Sequence, residues 1–458
     1  MNTVKLYVIL HYSFLKYFGK EVYKTPITMF NVMPPHLNDC EIRRRAIERD
    51  VPITSFLLRF SSYGSGNNFT LLAVNANSVL TVKSALYAAK RFNSPITFIT
   101  TLNQVDLDGG YTGWTQYEFV KIVSKEKDSI GFYGPIILAS DHYGPWLKDR
   151  HVAEKWSYQE CIEWLRKSIE ACIDAGYDLL HIDMTKDIEL PRGKVPDVDR
   201  IVERTVEMID FSEEVRKSKG LPKIDYEVGT EEVSGGLTSI ERFEEFLVKL
   251  KRRLIEKRLN VWPCFVVGDI GTSLYNPSFE YDRARELVKV ASKYDCYVKG
   301  HYTDFVKNLK LYPRAGIGGA NVGPKFTQVE FDALERLESM EQNLLSKHNF
   351  LASKFMETLY NAIVESGRWK KWLFKNEEGK RFEQLSKKRR RWLLQTGARY
   401  VWMKDDVKKA REILYNNLKL NGIDGEKLVL NSLNRCMSRF FRAFNLGNLN
   451  NRILGLIR

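Results

Sequence analysis

No apolar run in this 458-residue chain approaches the roughly 20 residues that span a bilayer, so a membrane-crossing helix is not expected. The apolar patch at Leu6–Leu10 is short, mixes in aromatics and has no small-residue cleavage site after it, which argues against a secretory signal. Cysteine is sparse: Cys40, Cys161, Cys172, Cys264, Cys296 and Cys436 lie far apart and form no CxxC pair. In so long a chain that pattern points to reduced, packed thiols and a cytoplasmic protein rather than a disulfide scaffold. The 29 Gly and 14 Pro follow no period, which excludes a collagen-like or low-complexity chain. Histidine is scarce too, at seven residues, so any that fall on functional positions carry weight.

What is present is globular: 44% hydrophobic and 28% charged residues. Lys plus Arg (71) exceed Asp plus Glu (57) by 14, giving a net charge of +14. Such a balance suits anionic partners, whether sugar phosphates, nucleic acid or a membrane surface, without choosing among them.

Short runs recur along the first 330 residues: FTLLAVN (69–75), ITFITT (96–101), PIILASD (135–141), DLLHID (178–183), IDYEVG (224–229), WPCFVVGD (262–269), CYVKGH (296–301) and GIGGANVG (316–323). Most are continuously apolar, as strands covered on both faces must be. Between them, stretches such as 78–92, 158–177, 239–258 and 279–294 repeat apolar residues three and four apart, as amphipathic helices do. This rhythm predicts an α/β fold, a (β/α)₈ TIM barrel over 65–340, with an irregular extension at 1–64 and a helical C-terminal subdomain at 341–458. The rival, a doubly wound open sheet, more often has a Gly-rich turn after its first strand; here that turn is NANS.

Barrel enzymes carry their chemistry at the C-terminal strand ends. Every expected end here delivers a polar side chain: Asn75, then Gln104 and Asp106, Asp141-His142, Asp183, Glu227, Asp269, His301 with Asp304, and Asn321 with Lys325. His142 and His301 with Glu227, and Asp269 as a further candidate, make a workable divalent metal site that leaves positions open for substrate oxygens. Asp141 beside it is placed to shuttle a proton. Asn75, Gln104, Asp183, Asn321, Gly323 and Lys325 are candidates for holding substrate. The bland alternative for each histidine is a hydrogen-bonded structural residue. His181 shares a face with Asp183, while His11, His36, His151 and His348 read as structural or exposed.

Three further segments have two readings each. GIGGANVGPKF can offer backbone N–H groups to a phosphate, or be a tight turn into the next helix. NQVDLDGGYTGWT (103–115) is a pocket wall or lid, or a surface hairpin. The basic run KKRRR (387–391), set among tryptophans, is a nucleic-acid contact or, more often, a solvated helix face; nucleic acid is not the expected partner.

NQVDLDGGYTG (103–113), SDHYGP (140–145), HIDMT (181–185), YEVGTEEVSGG (226–236), GHYTDF (300–305) and NVGPKFT (321–327) together resemble the tagatose-bisphosphate aldolase accessory subunit family, related to class II aldolases. The resemblance covers about 65–340 and weakens in the tail. It implies a metal-dependent aldolase-type barrel acting on ketose phosphates. By that resemblance Asp141 matches the proton-transfer residue, His142 and His301 the zinc ligands, Glu227 a group near the metal, and Asn321 a substrate contact. The sequence departs from the catalytic pattern in two places. VVGDIGTSLY, the sixth-strand segment, has no third zinc histidine, leaving Asp269 or Glu227 as the substitute ligand, and YTD replaces the Gly-rich phosphate loop after His301.

The expected function is a component of a D-tagatose-1,6-bisphosphate aldolase, with Zn²⁺ as cofactor, a sugar-phosphate substrate and a class II aldolase catalytic subunit as partner. Within that reading lies a non-catalytic stabilising role in an oligomer. The alternative is a metal-dependent 4-epimerase of a ketose or ketose phosphate, working through the same residues.

Overall fold

The computed structural model describes residues 37, 40–61, 68–191, 196–229, 239–275, 277–345 and 351–457. The Leu6–Leu10 patch, His11, His36, His348 and the segment 230–236 of the fourth resemblance motif lie outside the described residues.

Eight parallel strands close into a barrel in chain order: β1 (Leu71–Val74), β2 (Ile96–Thr101), β3 (Ile136–Asp141), β4 (Leu179–Ile182), β5 (Asp225–Gly229), β6 (Phe265–Val267), β7 (Tyr297–Gly300) and β8 (Gly319–Val322). β1 pairs with β2 on one edge and β8 on the other, Ala73 standing opposite Thr97 and Asn321. All eight expected strand positions are occupied. Nearly every strand residue is buried, because the interior fills one face and the helices cover the other.

The crossover helices start where the sequence supplies caps. Ser78 accepts from Thr81 N–H ahead of Val79–Phe92, and Thr115/Glu118 and Ser157/Glu160 form capping boxes at Gln116–Ile130 and Tyr158–Asp174. Asp197 and Ser239 cap Val198–Ser218 and Ile240–Glu256.

The described part of the N-terminal segment is not irregular, as expected, but forms two helices, Glu41–Glu48 and Ile53–Leu58. They cover the bottom of the barrel. Arg43 reaches Asp178 (2.6 Å) and Ile136 O (2.7 Å), Ser55 N–H donates to Asp225 (2.9 Å), and Tyr297 OH donates to Leu58 O (2.8 Å). The two ends of the barrel are thereby distinguished.

The helix after β8 runs Pro324–Leu345, and Phe355–Ser366, Lys387–Gly397, Asp405–Leu420, Gly425–Ala443 and Leu449–Ile457 follow. Gly425–Ala443 packs on both Val79–Phe92 and Pro324–Leu345, with Phe441 stacked on Phe92 at 5.3 Å. Buried Glu330 ties the layers together by accepting from Ser78 Oγ (2.7 Å) and Trp402 Nε1 (3.2 Å). A small second core of Trp369, Phe382, Leu385 and Leu393 supports the chain between 368 and 393. In the basic run, Arg389 pairs with Glu377 and Arg391 with Asp332 and Glu335. Among the described residues no helix is long and apolar enough to cross a membrane, and the six cysteines are buried and free.

Candidate active site at the barrel mouth

β3 ends on Asp141, and the chain turns through His142 in the left-handed region at φ 54°. Gly144 permits that turn: a Cβ there would lie 1.6 Å from the Asp183 carbonyl oxygen. Tyr143 N–H donates to His181 O and Asp183 N–H to Tyr143 O, both at 3.0 Å, which stitches the Asp-His turn to β4.

Four side-chain atoms from four strands then converge. His181 Nδ1 lies 3.2 Å from Asp141 Oδ1 and 3.6 Å from Glu227 Oε1. His301 Nε2 lies 3.0 Å from Glu227 Oε1 and 3.9 Å from Asp141 Oδ1. His142 borders this group, its ring 4.9 Å from that of His181 and 4.8 Å from that of His301. Its Nδ1 is held 2.7 Å from Asp183 Oδ2, which leaves Nε2 as the other ring nitrogen. A carboxylate on one imidazole nitrogen is the usual way a metal-binding ring is oriented. Behind Glu227, Lys299 on β7 contacts Oε2, both side chains being almost fully buried.

Burial alone would neutralise these groups, yet their partners prevail. Burial opposes charge on Asp141, but His142, His181 and His301 hold its carboxyl well below the usual range. Burial likewise works against Glu227, which Lys299 and the imidazoles hold at about 2. His142 is pushed down by burial and up more strongly by Asp141, Asp183 and Glu227, to about 9. Burial dominates at His301 and lowers it.

These residues fit a divalent cation. Nitrogen and oxygen donors bonded at about 2.0–2.2 Å in a tetrahedron stand about 3.3–3.6 Å apart. The four contacts of 3.2, 3.6, 3.0 and 3.9 Å bracket that spacing. Asn321 donates to Asp141 Oδ1 at 3.1 Å while its own buried Oδ1 has no protein partner.

The expected set is thus partly rearranged. Glu227 and His301 meet, with Asp141 and His142 beside them. Asp269 does not join: its carboxylate caps Gly271 N–H at 2.8 Å in the loop after β6. The histidine lacking on β6 has a counterpart on β4, His181, within reach of Asp141, Glu227 and His301. Period-2 alternation was the available signal, since His181 and Asp183 share a face.

A cavity of about 170 Å³ opens beside the cluster, bordered by Asn75, Asp141, His142, His301, Asn321 and Gly323. Of the other substrate candidates, Gln104 is wholly buried, with Nε2 on Ala76 O (2.6 Å) and Oε1 accepting from Asn75, so it positions Asn75. Asp183 lies behind His142. Lys325 turns to Gln328 Oε1 (2.8 Å), away from the cavity. The expected phosphate cradle is filled from within: Asp304 Oδ1 accepts from Gly323 N–H and Lys325 N–H, each at 2.8 Å. In the 103–115 loop, Asp106 is a structural hub and Tyr111 borders the cavity.

A family model described as D-tagatose-1,6-bisphosphate aldolase subunit GatZ/KbaZ-like matches residues 60–262 and 271–457. The chain belongs to this family. Among curated members, the D-tagatose-1,6-bisphosphate aldolase subunit GatZ of Escherichia coli O6:K15:H31 is 23% identical over 414 residues, covering 84% of this chain and 92% of that one. The subunit of the same name from Escherichia coli O1:K1 is 23% identical over 415 residues, with the same coverage. In fold, this GatZ/KbaZ-like chain resembles a crystal structure titled a probable tagatose 6 phosphate kinase from Sinorhizobium meliloti 1021, at a TM-score of 0.65 and 20% identity, covering 82% of this chain and 100% of that one. Fructose-bisphosphate aldolase from Campylobacter jejuni shares the barrel at a TM-score of 0.50 and 13% identity, with 87% and 96% coverage.

Proposed function

We propose that this chain is a component of a D-tagatose-1,6-bisphosphate aldolase, acting in the cytoplasm with a class II aldolase catalytic subunit, and that its barrel mouth is competent for the cleavage to dihydroxyacetone phosphate and glyceraldehyde 3-phosphate. Family membership supports the substrate. The observation that carries the chemistry is the meeting of His181, His301, Glu227 and Asp141 from four strands beside one cavity.

His181, His301 and Glu227, whose donor atoms meet, are the residues that would hold Zn²⁺, with His142 bordering them. Such an ion supplies a Lewis acid for the ketose oxygens. Asp141 takes the proton of the C4 hydroxyl as the C3–C4 bond breaks, and Asn321, donating to Asp141, keeps that carboxylate turned to the cavity. Asp183 fixes the His142 ring, and Lys299 balances Glu227 from behind.

The test is metal analysis of the purified chain combined with a triose-release assay, with and without the catalytic subunit. About one divalent ion per chain, lost in a His181→Ala/His301→Ala variant, is expected, with triose release falling in Asp141→Ala. A chain that binds no metal, and whose Asp141→Ala and His142→Ala variants support the partner unchanged, is a structural subunit, and the proposed chemistry fails. Epimeric ketoses without triose release would assign the same residues to a 4-epimerase.

A further inference from the structure

Opposite the histidine cluster, the cavity wall comes from the C-terminal subdomain: Arg368, Lys371, Trp372, Arg399 and Tyr400. Arg399 is the most telling of these. It is 7% exposed, and its Nη2 donates to Tyr400 OH (2.8 Å), yet its buried Nη1 has no protein hydrogen-bond partner. The guanidinium is held flat by Trp372 and Tyr400, 5.1 and 4.7 Å from the ring centres. Trp372 Nε1 also donates to Tyr400 OH, at 3.0 Å. Leaving a buried guanidinium N–H unpaired is costly, and a binding site is a place where that cost is recovered.

Two more cations stand beside it. Arg368 lies 4.2 Å from the Tyr400 ring centre and reaches Asp149 at 2.5 Å, and Lys371 shares that carboxylate at 2.7 Å. Three basic side chains face the carboxylates of Asp149 and, across the cavity, Asp304, an excess of one basic group. A phosphomonoester carries about −1.5 to −2 at pH 7 and offers three acceptor oxygens. The barrel's own anion cradle after β8 is already occupied by Asp304.

We propose that Arg399, assisted by Arg368 and Lys371, binds a phosphate group of a phosphorylated ketose, so that phosphate recognition is delivered by the C-terminal subdomain instead of the barrel's glycine loop. This rests on the sugar-phosphate reading of the site. A planar, preoriented guanidinium suits bidentate phosphate contact. The histidine cluster and the arginine would then grip opposite ends of one substrate across the cavity.

Isothermal titration of the full chain with inorganic phosphate, D-tagatose 1,6-bisphosphate and unphosphorylated D-tagatose tests this without turnover. The bisphosphate is expected to bind at least tenfold more tightly than the free sugar, with inorganic phosphate competing. Loss of a charge-assisted hydrogen bond is worth about 1.5–3 kcal/mol, so Arg399→Gln should weaken the bisphosphate about 10- to 150-fold and leave the free sugar unchanged. Lys371→Gln, on a half-exposed side chain, should weaken it about 1.5- to 5-fold. It decides the matter if Arg399→Gln does not fold by circular dichroism. Bisphosphate binding at wild-type affinity in the folded variants, or no preference for phosphorylated ligands, overturns the inference. Metal content, measured separately, reports on the aldolase reading, so the two fail independently.

Discussion

Replacing Lys299 by Met is the sharpest probe of whether an ion belongs at the barrel mouth. Lys299 and Glu227 are 1% and 0% exposed, in direct contact, and Lys299 is the non-imidazole cation recorded against that carboxylate. Removing one partner of a buried pair costs about 3–5 kcal/mol, because the other charge is stranded. Here the substitution removes the cation that contacts the Glu227 carboxylate from behind. A divalent cation beside Glu227 Oε1 would supply the missing positive charge. Lys299→Met should therefore lose about 3–5 kcal/mol in chelator and regain most of it in saturating Zn²⁺. The double variant Glu227→Gln/Lys299→Met should be near wild type in chelator, since replacing both partners of a buried pair is close to neutral, and should respond little to zinc. Urea unfolding followed by circular dichroism, with and without zinc, gives the four free energies. An equal loss for Lys299→Met in both conditions would refute the placement of a cation at Glu227.

Three further outcomes follow from other contacts. Gly144→Ala puts a methyl group 1.6 Å from the Asp183 carbonyl, a backbone atom that cannot yield cheaply, and should cost about 3 kcal/mol, read as a fall in urea midpoint. Asp106→Ala deletes the acceptor of Lys148 (2.7 Å), Trp164 (2.8 Å) and Ser168 (2.7 Å); Lys148 keeps Asp108 (2.8 Å) and Leu102 O (2.9 Å), but the Trp164 and Ser168 donors lose their partner, which should cost about 3 kcal/mol in the same assay. His151 is buried against Trp156 with neither ring nitrogen partnered, and burial with nearby Lys148 depresses it from 6.5 to about 4. A depressed histidine stabilises the fold above its unfolded value, so about 3 kcal/mol should be lost as pH falls from 6.5 to 4. His151→Phe keeps the stacking and should flatten that part of the profile of melting temperature against pH; an unchanged acid slope would count against it.

The barrel was legible because its signals are local. Eight apolar runs too continuous for one-sided strands, separated by helices with their own caps, leave a closed parallel sheet as the economical way to bury every face. The strand-end rule then put Asp141, His142, Glu227 and His301 on one rim, and the cavity borders three of them while Glu227 lies just behind. Asp269 failed because β6 is short, ending at Val267, so Asp269 falls in a turn where the nearest donor, Gly271 N–H, captures its carboxylate. Gly323 and Lys325 failed as a phosphate cradle for the converse reason: Asp304, distant by 19 residues in sequence, arrives first.

What the chain alone determined is the periodicity, the caps and the residue types at strand ends, all consequences of steric and hydrophobic rules acting over a few neighbours. Folding in three dimensions decided who meets whom. His181, rather than any β6 residue, reaches the other histidines, because register and inward pleat bring β4 beside β5 with His181 opposite Glu227. Arg399 faces the same cavity from far along the chain, because burial of the C-terminal helices on the barrel sets their position, and no local pattern encodes that distance.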